Sequence, residues 1–249
     1  MNLALALAPV TFPLWTTLGL GFVLGLRHAL DADHLAAVST FVSEERNLWR
    51  ASLIGVYWGI GHSTALLVFG FAIAAFRLTI SPRLSQVLEF AVGGMLIFLG
   101  ARVLINMARG NTPQLHAHEH AHHSARHAHP HFHAHTAGAA HRHHLRRGAR
   151  PFVVGVIHGL AGTGAVMLLV IGAIPSLRLA VGYILVFGVG TIGGMTVMSL
   201  LMSVPLALAA SRLRLVDRFV RLSAGLFSLG FGSWLAWEIG VLQALLGKG

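Results

Sequence analysis

The composition of this 249-residue chain is that of a membrane protein, with 55% hydrophobic and only 10% charged residues. Soluble domains carry charge on about a quarter of their residues, so an ordinary soluble fold is excluded. The chain has no cysteine, which excludes disulfide scaffolds, thiolate zinc sites and iron–sulfur clusters.

Six apolar segments are candidates to cross about 30 Å of hydrocarbon as helices. The third segment reaches the required length only if Glu89 or Arg102 lies near an interface. Lys and Arg number 12 in the loops after the first, third and fifth segments and 4 on the opposite side. The net charge of +10 is therefore assigned to orientation in a lipid bilayer and not to nucleic-acid binding. The positive-inside rule predicts a protein of the plasma (bacterial inner) membrane, with both termini outside and the long loop in the cytoplasm. We predict an all-α polytopic membrane protein with spans near 14–41, 51–76, 84–107, 152–174, 178–205 and 219–244.

The first span contains the densest polar cluster of any apolar segment, at residues 27–34, Arg-His-Ala-Leu-Asp-Ala-Asp-His. Each charged residue costs about 2.5–3.5 kcal/mol at the bilayer centre even on lenient scales, so the cluster needs a partner, water or a cation. On a regular helix His28, Asp31 and His34 share one face. Asp33 joins them only if the helix unwinds locally or a neighbouring helix contributes ligands. Imidazoles and carboxylates together suit a divalent first-row cation.

Two later spans each contain a single histidine. His62 follows a glycine in the second span, where it is either a buried histidine bonded to a neighbouring helix or a third imidazole ligand. His158 lies in a glycine-rich segment of the fourth span, where packing and a place in the ion pathway both remain open. We assign Asp31, His158 and Thr163 to the pathway or to the shell around the ligands.

An internal repeat relates the two halves of the chain. Residues 25–30 are similar to 155–160, and residues 60–64 are similar to 192–196. Each half would hold an odd number of spans, so the second half would enter the membrane from the opposite side, as in inverted-repeat transporters. Chance similarity between glycine-rich helices is the alternative. The predicted units are a first three-helix half with the metal motif (1–108), a disordered cytoplasmic loop (109–150) and a second three-helix half (151–249).

The loop contains 13 of the 17 histidines, interleaved with Ala, Pro and Gly. It has little apolar surface to bury, which predicts disorder, and neutral imidazoles bind nickel, cobalt, copper and zinc. Metal buffering, or delivery to cytoplasmic metallochaperones, is one interpretation, and a solvated, pH-responsive linker is the other. The loop residues assigned to metal buffering are His116, His118, His120, His122, His123, His127, His129, His131, His133, His135, His141, His143 and His144.

At these residues the sequence resembles the nickel/cobalt transporter (NiCoT) family, whose signature in a helix is a histidine, four residues and then Asp-His. Here the pattern is His28, Asp33 and His34, and Gly61-His62-Ser63-Thr64 resembles a second family motif. The likeness is greatest to the shorter six-helix branch associated with urease, and it covers nearly the whole chain except the histidine loop. The resemblance implies nickel or cobalt transport, with His28, Asp33, His34 and His62 as the metal-selecting residues.

Three functions follow from these observations. The first is a permease that admits Ni²⁺ or Co²⁺ as its substrate and has no prosthetic group; two charges moving through 100 mV yield about 4.6 kcal/mol, or roughly a two-thousandfold gradient. The second is proton-coupled efflux of the same metals, with His28, Asp31 or Asp33 exchanging protons. The third is a membrane-anchored metal sensor or buffering protein. We expect no enzyme, because the sequence contains no phosphate-binding loop or hydrolase signature.

Overall fold

The computed structural model describes residues 14–45, 47–76, 78, 81–110, 115–122, 125–132, 143–161, 174, 176–209 and 214–246. Two short strands, β1 (Leu115–His122) and β2 (Ala125–Phe132), lie between the fourth and fifth helices of this part of the chain. The helices are α1 Leu14–His28, α2 Ala32–Ser43, α3 Leu48–Phe76, α4 Pro82–Ala108, α5 His143–Ala161, α6 Leu177–Ala209 and α7 Arg214–Leu246.

The helices have the lengths and surfaces of a membrane protein. Large apolar side chains face outward, among them Trp15, Phe76 and Trp237 with exposures of 80%, 71% and 73%. Lipid accepts such a surface, whereas water does not. The predicted all-α polytopic membrane fold is therefore confirmed. Among the described residues, the stretches long and apolar enough to span a membrane are Leu48–Ile73, Pro82–Ala108, Leu177–Pro205 and Leu215–Gly240, and Gly148–Ala161 is a shorter apolar helix.

The first and fourth predicted spans differ from the structure in their boundaries. The first, predicted as one segment over 14–41, consists of α1 and α2 with a break between them. The fourth, predicted over 152–174, begins earlier, because α5 starts at His143; residues 162–173 lie outside the described part of the chain. The other four spans match α3, α4, α6 and α7 to within a turn or so.

The histidine loop differs from the prediction of a segment without regular structure. Strands β1 and β2 pair antiparallel, with Leu115 opposite Phe132 and His122 opposite Ala125. A composition argument counts only the apolar surface that a segment can bury. It overlooks that two extended segments can satisfy each other's backbone N–H and C=O groups.

The helices of the membrane domain pack in pairs. Helix α3 packs against α5 and α6, α1 against α6, and α4 against α7, while α2 contacts α4, α6 and α7. Buried apolar side chains from α2, α3, α4 and α6 form the larger core, which includes Val38, Trp58, Leu96 and Met195. The buried polar residues lie inside this bundle and not on its lipid-facing surface.

Two helix pairs run antiparallel and approach at glycines. In the pair α3 and α6, a Cβ on Gly59 would lie 2.8 Å from the Cα of Ile192, and one on Gly188 would lie 3.1 Å from the Cβ of Ser63. These two contacts correspond, because 129 residues separate Gly59 from Gly188 and Ser63 from Ile192. This offset pairs residues 60–64 with 189–193, three residues away from the 192–196 of the sequence alignment. The contacts therefore recur with the halves of the chain exchanged.

The same correspondence holds for the remaining pairs. In α4 and α7, Gly93 meets Gly232 and Gly100 meets Gly225. Helix α1 approaches α6 where a Cβ at the glycine of residue 25 would lie 3.0 Å from the backbone N of residue 191. Helix α5 approaches α3 in the same way, with 3.0 Å between a Cβ at residue 155 and the backbone N of residue 62.

Candidate metal centre

The polar cluster of the first span lies where the chain unwinds between α1 and α2. The N–H groups of Leu30 and Asp31 donate to the carbonyls of Arg27 and His28 at 2.9 and 3.1 Å. This three-residue step is tighter than that of an α-helix. Asp31 then takes an extended backbone with φ −61° and ψ 145°, and α2 begins at the next residue. The local unwinding that a site common to His28 and Asp33 requires is therefore present.

Four imidazoles converge at this break from four helices. His34 has its ring centroid 4.6 Å from that of His28, 5.2 Å from that of His62 and 4.2 Å from that of His158. The centroids of His28 and His62 are 5.1 Å apart. His34, His62 and His158 are fully buried, whereas His28 is partly exposed. The cluster thus extends from the bundle interior to an accessible edge.

Two carboxylates fix the orientation of three of these rings. Asp31 accepts a hydrogen bond from His28 Nδ1 at 2.8 Å. Asp33 accepts from His34 Nδ1 at 3.1 Å through Oδ1 and from His158 Nε2 at 2.9 Å through Oδ2. A carboxylate on one ring nitrogen leaves the other available and more basic, which is the usual arrangement around metal-ligating histidines.

Several ring nitrogens of the cluster have no carboxylate partner. The Nε2 atoms of His28 and His62 lie 3.1 Å apart, so one carries the hydrogen and the other accepts it, or both offer lone pairs to a cation. Within the described part of the chain, His34 Nε2, His62 Nδ1 and His158 Nδ1 have no hydrogen-bond partner. Buried polar atoms without a partner are rare in proteins and call for an explanation, such as a bound ion.

Two groups of three side chains have the geometry to hold a metal ion. The first triad is His28, His34 and His62, and the second triad is Asp33, His34 and His158. Within each triad the ligand atoms lie within 4.8 Å of one another. Donors about 2.1 Å from an ion lie at most about 4.2 Å apart, so small side-chain movements would close either triad on an ion. His34 belongs to both triads.

Two aromatic side chains lie against the cluster, and the sequence did not predict either of them for the site. Trp58 stacks on His34, with ring centroids 6.0 Å apart and an interplanar angle of 21°. Phe187 lies beside His28 at 5.5 Å. Both occur in apolar stretches, where nothing in the sequence distinguishes them from other core or lipid-facing residues.

Glycines allow α5 to bring its histidine into the cluster. A Cβ on Gly155 would collide with the carbonyl oxygen of Trp58, and one on Gly159 would lie 2.6 Å from the carbonyl oxygen of His62. Small residues are the usual means by which helices approach closely in lipid. The glycine-rich segment around His158 therefore serves packing, and this packing places the histidine at the site.

The structure brings together the four predicted metal ligands, His28, Asp33, His34 and His62. Asp31 contacts His28, as a residue of the surrounding shell would. His158, predicted for the pathway or the shell, contacts Asp33 directly. Only the backbone is described for the loop histidines on β1 and β2 and for His143 and His144 on α5. Thr163, His123, His133, His135 and His141 lie outside the described residues.

Comparison with known proteins identifies the family. The chain is 36% identical over 239 residues to the urease accessory protein UreH of Bacillus sp. (strain TB-90), covering 93% of this chain and 95% of that protein. A high-affinity nickel transport protein of Cupriavidus necator is 36% identical over 93 residues, covering 35% of this chain and 26% of that protein. The chloroplast protein FOR GROWTH AND FERTILITY 2 of Arabidopsis thaliana is 25% identical over 183 residues, or 72% of this chain and 43% of that protein. No solved structure matches the chain.

A family model covers most of the chain and the whole of the metal centre. Residues 14–209 match the NicO model, described as high-affinity nickel-transport protein. This range includes both triads and all helices except α7. The resemblance to nickel transporters inferred from the motifs is confirmed, and the chain belongs to the NicO family of nickel-transport proteins.

Proposed function

We propose that this chain carries Ni²⁺ into the cell and that the ion binds within the membrane at the helix break. The proposed ligands are the first triad, His28, His34 and His62, and the Asp33 carboxylate, which belongs to the second triad. The observation that carries this assignment is the convergence of four imidazoles and a carboxylate inside the bundle. Charged and ionisable groups at membrane depth are expensive, and a passing dication gives them a function.

The donor set supports a first-row divalent metal. Imidazole nitrogen and carboxylate oxygen suit nickel and cobalt, whereas the absence of cysteine from the sequence removes the thiolates that favour softer ions. Such sites bind Ni²⁺ more tightly than Co²⁺, so Co²⁺ is expected as a weaker competing substrate. The ion is cargo here, and no resident metal is proposed.

The membrane potential supports inward movement. Two positive charges crossing about 100 mV towards a negative interior yield about 4.6 kcal/mol, which needs no second substrate. Efflux would have to oppose this energy through proton exchange. Inward transport is therefore the simpler assignment for a chain whose site combines neutral imidazoles with a carboxylate.

We further propose that residues 1–108 and 151–249 are two halves related by a twofold axis in the membrane plane. An axis that exchanges two antiparallel helices must be perpendicular to them. The pairs α3 with α6 and α4 with α7 satisfy this condition, and their glycine contacts recur about 130 residues apart. This recurrence supports an inverted repeat over chance similarity.

The proposed orientation has the histidine loop in the cytoplasm and both termini outside. Its support is the excess of Lys and Arg in the loops on one side of the spans. Because the chain has no cysteine, a single introduced cysteine reports its own side. Gly110→Cys, after α4, should react with an impermeant maleimide only in opened cells, whereas Arg83→Cys, at the other end of α4, should react in intact cells. The reverse pattern would overturn the orientation.

The loop is proposed to receive the ion on the cytoplasmic side and to buffer it or pass it to metallochaperones. Thirteen histidines in a short segment give a high local concentration of imidazole. The pairing of β1 with β2 supports this role, because it places backbone positions of several histidines opposite each other, for example His118 opposite His129.

Purified protein in proteoliposomes tests the proposal directly. Nickel entry is measured with the membrane potential and the pH gradient imposed separately. Uptake that follows an inside-negative potential supports the proposed direction, and flux that requires a proton gradient and runs outward would replace it with exchange. Nickel binding without flux in either direction would instead indicate a sensor or buffer.

A further inference from the structure

His158 lies inside the cluster, although it is far in the sequence from the other three histidines. Its ring is fully buried and its Nε2 lies 2.9 Å from Asp33 Oδ2. Its Nδ1 has no hydrogen-bond partner among the described residues. Its ring centroid is 4.2 Å from that of His34, closer than the 4.6 Å between the rings of His28 and His34. It therefore touches the proposed ligands and does not merely pack near them.

We propose that the second triad is a second position for the transported ion, with His158 as a direct ligand supplied by the second half of the chain. The ion would pass from the first triad to the second by exchanging ligands around His34. This proposal rests on the proposed function, because it divides the same passage into two steps.

The hydrogen bonds determine which atoms are available at each step. Asp31 holds His28 Nδ1 and Asp33 Oδ1 holds His34 Nδ1, which leaves the Nε2 atoms of both rings for the first position. His62 Nε2, 3.1 Å from His28 Nε2, completes that set. At the second position, Asp33 Oδ2 and the His158 ring, now bonded to each other, would both turn to the ion.

The two positions differ in charge, so they differ in their affinity for a dication. The first triad consists of three imidazoles, whereas the second includes a carboxylate. An ion that moves to the second triad gains a contact with a charged ligand while keeping His34. The two triads share His34, so two dications bound at once would lie close together and repel each other strongly. One ion at a time therefore occupies the two positions.

The test separates ligation by His158 from its hydrogen bond to Asp33. In His158→Gln the side-chain amide can still donate to Asp33, but an amide is a poor ligand for Ni²⁺; His158→Ala removes both interactions. Nickel uptake into proteoliposomes is measured over a range of concentrations at a fixed inside-negative potential. His28→Ala serves as the comparison for loss of the first position, and Ser228→Ala, which removes a buried bond to the Leu96 carbonyl outside both triads, serves as the control.

We expect both His158 variants to lower the maximal rate about tenfold or more while KM stays within about threefold of the unchanged protein. His28→Ala should raise KM, and Ser228→Ala should behave as the unchanged protein. Full flux in His158→Gln would show that the histidine only positions Asp33, and a rise in KM as in His28→Ala would place it in the first position; either result overturns the proposal.

The two proposals fail separately. No nickel flux by the unchanged protein would refute the proposed function before any variant is compared. Flux by the unchanged protein with full flux in His158→Gln would refute only the second position. If His158→Gln is not recovered as a monodisperse protein, His158→Asn is measured under the same criteria, because it also retains an amide donor and lacks an imidazole.

Discussion

A methyl group added at Gly155 should disable the transporter without touching any proposed ligand side chain. The new Cβ would lie 2.6 Å from Trp58 Cδ1 and 3.0 Å from the backbone N of His62. Ordinary contacts between carbon atoms are about 3.5–4.0 Å, so α5 would have to move away from α3 by about 1 Å. His158 follows Gly155 by one helical turn and would move with it.

That displacement sets the size of the effect. The bond from His158 to Asp33, 2.9 Å long, would stretch to about 3.9 Å, beyond hydrogen-bond range. Overpacking of this kind destabilises a protein by about 1–3 kcal/mol. A misplacement of about 1 Å at a reacting site lowers rates by up to about a hundredfold. We therefore expect Gly155→Ala to lower nickel flux by about tenfold to a hundredfold and to lower the unfolding temperature.

Gly94→Ala is the matched control, because a Cβ at that position meets nothing within 4 Å. Both variants are reconstituted at equal protein-to-lipid ratio, and initial nickel uptake and the thermal unfolding midpoint are measured for each. The control should match the unchanged protein in both measurements. Unchanged flux and midpoint in Gly155→Ala would refute the argument that close approach of α5 to α3 assembles the site.

Three further predictions concern the ligands, the shell and the loop. Replacing Asp33 or His34 by Ala should abolish flux while membrane insertion, checked by extraction and gel filtration, is retained; full flux would remove these residues from the ligand set. Asp31→Asn should raise KM for nickel by about tenfold, because the carboxylate that orients His28 is weakened, and an unchanged KM would argue that the 2.8 Å bond has no role in binding. Deleting 115–132 should change initial uptake by less than about twofold, because those strands pair with each other and the triads lie elsewhere; total loss of folded protein would show that the hairpin supports the membrane domain.

The sequence singled out side chains that the fold brings together, because polar residues are conspicuous in segments that face lipid. His28, Asp33, His34 and His62 stand out in apolar segments, and the structure places all four together. The helix break was one of two alternatives that the sequence left open, because a regular helix would point Asp33 away from the face of the other ligands. The apolar spans were predicted by the same cost of placing polar groups in lipid, because that cost leaves membrane-spanning segments almost free of charged residues.

Long-range packing accounts for what the sequence did not predict. Asp33 and His158 are 125 residues apart in the chain yet share a hydrogen bond, and periodicity within one helix carries no information about such a pair. The repeat gave the only signal, by aligning His158 with His28. Trp58 could not be predicted for the same reason. Its stacking on His34 depends on the approach of two helices, which no local sequence pattern encodes.

The recurrence of glycine contacts in the two halves has a consequence for directionality. If two halves of a bundle make equivalent contacts with exchanged roles, the helix packing is the same seen from either face of the bilayer. Such packing alone favours neither inward nor outward movement of the ion. The asymmetry is chemical: Thr191, the counterpart of His62 in the approach of α1 to α6, bonds to its own helix at Phe187. An engineered histidine there would make the two faces chemically more alike, so we expect any difference between inward and outward flux to depend on a few side chains and not on the architecture.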